Sequence, residues 1–124
     1  MATIHPAMVQ LLLQLGKYDF SEKRSVNNAV APGTLIRKTK PEHDVRITDI
    51  IIYNPAATEA VIGFYDQDSK CYLTLKVGSG ETANIDLKAS IVYGEKDIYA
   101  RTDQATNAEV TVAGRELPKE FGWA

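Results

Sequence analysis

From residue 34 onward the chain reads as short strands separated by turn-forming clusters about every 8–12 residues, and in three places apolar and polar positions alternate cleanly with a period of two. Leu73, Leu75 and Val77 share one face of a predicted strand, and Tyr72, Thr74 and Lys76 the other. The same holds for Ala83, Ile85 and Leu87 against Thr82, Asn84 and Asp86, and for Val110 and Val112 against Glu109, Thr111 and Ala113. Each is the signature of a strand with one face in a core and one in water. Predicted strands are Thr34–Thr39, Val45–Tyr53, Ala60–Tyr65, Cys71–Val77, Thr82–Leu87, Ile91–Tyr93 with Asp97–Arg101, and Ala108–Gly114. Between them lie Lys40-Pro41-Glu42, Asn54-Pro55-Ala56, Asp66 to Ser69, Gly78-Ser79-Gly80, Gly94-Glu95-Lys96 and Thr102 to Asn107, all turn chemistry. About seven short strands without intervening helices predict a mostly β protein, an antiparallel β-sandwich of Ig-like or jelly-roll-like kind.

Two strands depart from simple alternation. Val45 and Ile47 occupy one face, Asp49 falls where that face should continue, and Ile50-Ile51-Ile52-Tyr53 follows. Either a β-bulge near Thr48-Asp49 shifts the phase, or both faces are covered. Val61, Ile62, Phe64 and Tyr65 show a similar two-sided hydrophobicity. Central strands beneath a helix, or an outer face covered by another subunit, would each account for it.

The first 31 residues read differently. Pro6 to Leu15 has a broad apolar face (Val9, Leu12, Leu13), a proline suited to a first turn and Gly16 as a stop, which predicts a short helix. Such a helix needs a packing partner. Lys17 to Ala31 loses periodicity and is expected as an extended arm crossing a surface. The predicted organisation is therefore a helix and arm over 1–31, a sandwich over 32–117 and a tail over 118–124. Phe121 and Trp123 in that tail are costly to leave in water and are expected to be covered.

Composition narrows the function classes. At 124 residues, 44% hydrophobic and 24% charged, the chain has the size and balance of one globular domain. A net charge of −2 argues against a general nucleic-acid binder. Residues 1–44 carry +2 and residues 45–124 carry −4, an asymmetry that reads as ordinary scatter for a short chain or as a basic arm that docks on an acidic neighbour. No apolar run reaches membrane-spanning length, and the start lacks the basic region of a secretory signal, so synthesis in a cytoplasm is expected.

Candidate chemistry is sparse. His5 and His43 lie near prolines and are expected as solvated loop residues. Cys71 has no cysteine partner and no nearby histidine, which leaves a zinc site without ligands. Asp66-x-Asp68-x-Lys70 opens like a calcium loop but lacks its glycine and distal glutamate, and reads as a polar hairpin turn. Gly78-Ser79-Gly80 lacks the Lys-Ser/Thr of a phosphate loop and reads as a hairpin connection. No catalytic, cofactor-binding or metal-ligating residue is assigned.

The segments Ile47 to Asn54, Ala60 to Asp66, Leu73 to Thr82, Asp97 to Arg101 and Ala108 to Glu116 together form a pattern. It resembles the small β-sandwich virion proteins of tailed bacteriophages, in which a strand ending in Asn is followed by one ending in Tyr-Asp. The likeness covers about seventy residues. It implies a structural protein of the virion, a capsid decoration or head-associated component that forms homo-oligomers, often trimers, on other virion proteins; the residues themselves give no sign of an enzyme, a cofactor, nucleic-acid binding or a membrane. Val9, Leu12, Leu13, Ile51, Tyr53, Val61, Tyr65, Phe121 and Trp123 are the expected interface. The rival reading is a carbohydrate- or receptor-binding module that uses Tyr65, Tyr72, Tyr93 or Tyr99 as stacking platforms.

Overall fold

The computed structural model describes residues 19–119, which form eight strands and no α-helix. The expected helix over 6–15 and the aromatic tail with Phe121 and Trp123 lie outside the described residues. The strands are β1 (Phe20–Val26), β2 (Thr34–Arg37), β3 (His43–Tyr53), β4 (Ala60–Tyr65), β5 (Cys71–Val77), β6 (Thr82–Gly94), β7 (Ile98–Thr102) and β8 (Ala108–Pro118). They make two antiparallel four-stranded sheets, β1-β8-β3-β6 (sheet A) and β2-β7-β4-β5 (sheet B).

The expected antiparallel sandwich is present, with a different count and start. The stretch expected as an extended arm holds β1, which pairs with β8 from Phe20↔Gly114 to Val26↔Ala108. Its alternation is hidden because two of its four inward positions are charged: Phe20 and Val26 are buried, with Glu22 and Arg24 between them. Glu22 faces Arg37 of β2 at 2.9 Å, so an edge strand buries a carboxylate side chain only in part and pairs it there.

Connections also differ from the hairpins that turn chemistry suggests. Among the described residues only β4 and β5 form a sequential hairpin, and the other links carry the chain from one sheet to the other. Gly78-Ser79-Gly80 is such a link, joining β5 of sheet B to β6 of sheet A. The pieces read separately as Thr82–Leu87 and Ile91–Tyr93 belong to one strand, β6, interrupted opposite Thr48 where its register on β3 shifts.

Of the two accounts of Val45–Tyr53, the bulge is present. Ile47 faces Gly114 and Asp49 faces Ala113, so Thr48 is the extra residue. The phase shift turns Val45, Ile47, Ile50 and Ile52 all inward, fully buried. They meet Ile62, Phe64 and Ala100 of sheet B, with Ile36, Ile98, Val110 and Val112 completing the core. Hydrophobic burial of these branched side chains supplies the main driving force for closing the sandwich.

Buried Asn54 ties one end together. Its Nδ2 donates to the carbonyls of Thr58 and Val77, both at 3.0 Å, and Gly78 at 3.2 Å, while Oδ1 accepts from Ala56 N at 3.0 Å. One side chain thereby joins the β3–β4 turn to the β5–β6 link.

Candidate functional site

The two sides of the sandwich are finished differently. At the β1/β2 side, Arg37 Nη1 bonds Glu22 at 2.9 Å and its Nε bonds Glu116 at 3.0 Å, and the guanidinium lies 4.1 Å over the Phe20 ring. The Glu116 side chain is only 4% exposed. This charged clasp closes the core. At the opposite side, no such cover lies over the inward residues of the edge strands β5 and β6 among the described residues: Leu73, Leu75, Ala83, Ile85, Leu87 and Ile91 pack on the core but stay half-buried.

The expected interface residues do not fall on one surface. Ile51 and Tyr53 stand on the outer face of sheet A, 40% and 44% exposed, with Val92 of β6 at 50%. Val61 and Tyr65 stand on the outer face of sheet B, since Ala60, Ile62 and Phe64 point inward. Val9, Leu12, Leu13, Phe121 and Trp123 lie outside the described residues.

The four tyrosines considered as platforms separate into two pairs. Tyr72 and Tyr93 stack on each other, ring centroids 4.0 Å apart, with Tyr93 buried. A register shift where Tyr65 meets Cys71 turns Tyr72 inward, against the alternation read from sequence. Burial, then its hydrogen bond to Asp66, pushes the Tyr72 phenol up to about 12. That pair is packing. Tyr65 and Tyr99 are cross-strand partners on the outer face of sheet B, both half-buried.

Beside Tyr65 lies an open depression of about 370 Å³ lined by Asn28, Val61, Gly63, Thr74, Arg101 and Asp103 among others. The Tyr65 ring runs along its own strand and occupies the space over Gly63 that a side chain would fill. Arg101, opposite Gly63 on β7, donates from Nε to the Ala29 carbonyl at 3.0 Å. Asp103 Oδ1 accepts from Val61 N at 2.9 Å, the main reason its carboxyl sits below the usual carboxylate range. Sequence reasoning named Tyr65 but missed Arg101, Asp103 and Gly63. Gly63 within an apolar strand was a readable signal of close approach.

The remaining candidates resolve into structural roles. Asp66 Oδ1 accepts from Asp68 N at 2.8 Å and Lys70 N at 3.1 Å, and Oδ2 from the Tyr72 hydroxyl at 2.9 Å, which makes the stretch a capped hairpin turn. His43 opens β3 half-buried, not in a loop, with Nδ1 3.0 Å from the Pro41 carbonyl. Cys71 is exposed, its Sγ 3.5 Å from Thr74 Oγ1. Among the described residues no group of three or more His, Cys, Asp or Glu is placed to hold a metal ion, and no helix is long and apolar enough to cross a membrane.

No family model matches this chain, and no curated protein matches it. A solved structure, the crystal structure of PirA, is similar at 18% identity and a TM-score of 0.43, covering 77% of this chain and 94% of that one, a likeness too slight to carry a role across.

Proposed function

We propose that this chain is a non-enzymatic structural protein that works by associating with copies of itself, in the tailed-phage virion setting that its strand pattern resembles. One observation carries the reading: the β5/β6 side, which no other described residue covers. There the half-buried Leu73, Leu75, Ile85, Leu87 and Ile91 sit between two edge strands, one of them 13 residues long. Unpaired edges flanking apolar side chains are a pairing hazard that monomeric proteins blunt with charge or cover. The β1/β2 side closes its apolar edge with the clasp of Arg37, Glu22 and Glu116; on the β5/β6 side the charges Lys76, Asp86 and Lys88 stand exposed on the outer faces, and among the described residues no such clasp lies over the apolar inward positions.

The strand order supports the jelly-roll form over the Ig-like one. β1 pairs β8, β2 pairs β7, β3 pairs β6 and β4 pairs β5, a nested set produced by rolling up one long hairpin. Viral capsid and lectin domains share this architecture, which by itself assigns no role.

Light scattering of the purified chain at tens of micromolar tests the proposal. A defined oligomer is expected, and Ile85→Lys should convert it to a monomer with unchanged circular dichroism. A strict monomer from the parent chain sinks the reading. Detection of the chain in purified phage particles tests the virion setting separately.

A further inference from the structure

Three side chains around the sheet B depression are held in place while their polar ends remain unengaged. Tyr65 is laid over Gly63, so one ring face rests on backbone and the other points outward, and among the described residues its hydroxyl makes no hydrogen bond. Arg101 is anchored through Nε alone, and its two terminal nitrogens bond nothing among the described residues. Asp103 is anchored through Oδ1, and Oδ2 accepts nothing among them. Arg101 and Asp103 line the same depression with opposite charges, yet no ion pair joins them. A tyrosine covering a strand glycine is a common packing device and would account for the ring by itself. It does not account for a guanidinium and a carboxylate fixed from behind beside that ring.

We propose that this depression is a subsite for one pyranose ring of a neutral carbohydrate, stacked on Tyr65 and held at its hydroxyl rim by Arg101 and Asp103. A pyranose has a face of C–H bonds that suits an aromatic ring and a rim of hydroxyls, each both donor and acceptor. One such hydroxyl satisfies Asp103 Oδ2 as donor, and it or its neighbour satisfies an Arg101 terminal nitrogen as acceptor. A phosphate-bearing ligand would gain from Arg101 and be repelled by the ionised Asp103, which lies on the same surface. Tyr99, directly across from Tyr65, extends the aromatic surface toward a second ring. Because these side chains are already held, little ordering is needed on binding, though a single open subsite remains weak. Repetition of the site on an oligomer would raise avidity without new contacts. The site stands on the outer face of sheet B, reaching β5 only at Thr74, and does not depend on oligomerisation.

The test is NMR titration of the full chain with cellohexaose, maltohexaose and mannohexaose, preceded by a glycan array. At least one sugar class should bind with a Kd of roughly 0.1–1 mM, shifting the amides of Gly63, Tyr65, Arg101 and Asp103. Tyr65→Ala and Arg101→Gln should each weaken that binding about tenfold or more with the fold retained by circular dichroism, and Tyr65→Trp should retain it. Tyr65→Trp and Arg101→Gln keep the test informative if Tyr65→Ala folds poorly. An empty array together with flat titrations overturns the proposal. So does sugar binding that survives both Tyr65→Ala and Arg101→Gln, or shifts confined to another surface.

Discussion

Gly114 of β8 faces Ile47 across the sheet, and a Cβ at that position would run into the main-chain carbonyl of Arg46, where β3 bulges. The bulge that returns Ile50 and Ile52 to the core thus requires a glycine on the neighbouring strand. Gly114→Ala has no flexible side chain to displace, only backbone. It is expected to cost about 3 kcal/mol and to lower the melting temperature by roughly 10 °C, as measured by calorimetry. A variant as stable as the parent would show that β3 can take another path.

Asn54 holds three carbonyls and one amide with a single buried side chain, 1% exposed. Asn54→Ala leaves these groups without partners in a dry place and should cost about 2–4 kcal/mol. Asn54→Asp should be no better, because a carboxylate oxygen would then face the Val77 and Gly78 carbonyls. Urea unfolding checks both.

Arg37 neutralises Glu116, whose side chain is nearly buried. Arg37→Met should therefore destabilise by about 3 kcal/mol through the uncompensated carboxylate, and the double change Arg37→Met/Glu116→Leu should recover most of that loss. A double variant no more stable than the single one would show that the clasp acts through geometry and not through charge.

Asp66 governs part of the acid response. Burial raises its carboxyl, but hydrogen bonds from Lys70, Tyr72 and Asp68, with the Lys96 charge, outweigh that and hold it below its ordinary 3.8. The unfolded chain then takes up the proton first as pH falls. The stability contributed by this turn is present above about pH 3.8 and is lost as pH drops through the lower folded value. Asp66→Asn should be less stable at neutral pH and should lose less of its stability between pH ~5 and pH ~2, followed by urea midpoints across that range.

Alternation along the chain was sufficient for β5 from Leu73 onward, for the first half of β6 and for the first half of β8, because a strand with one wet face must place every second residue in the core. It also located the irregularity in β3, since the charged Asp49 falls where the face of Val45 and Ile47 should continue. Candidate site residues were legible only in part. Tyr65 was marked as an aromatic at a strand end, whereas Arg101 and Asp103 look like ordinary surface charges until β7 is laid beside β4.

Tertiary structure alone decided the remainder. The strand β1 shows no period of its own because its inward Glu22 answers to Arg37, fifteen residues further on, and Arg24 beside it to Glu22. Sheet membership was hidden for a related reason: turn residues report that the chain reverses, not whether it pairs with its neighbour or crosses to the facing sheet. The tyrosines were sorted by register, one shift at Tyr65/Cys71 sending Tyr72 to the core while Tyr65 and Tyr99 stay outside. Local pattern determines which face of a strand is apolar, a property of consecutive residues. Which strands lie side by side, and hence which side chains converge on a site, is set by packing between residues far apart in the chain.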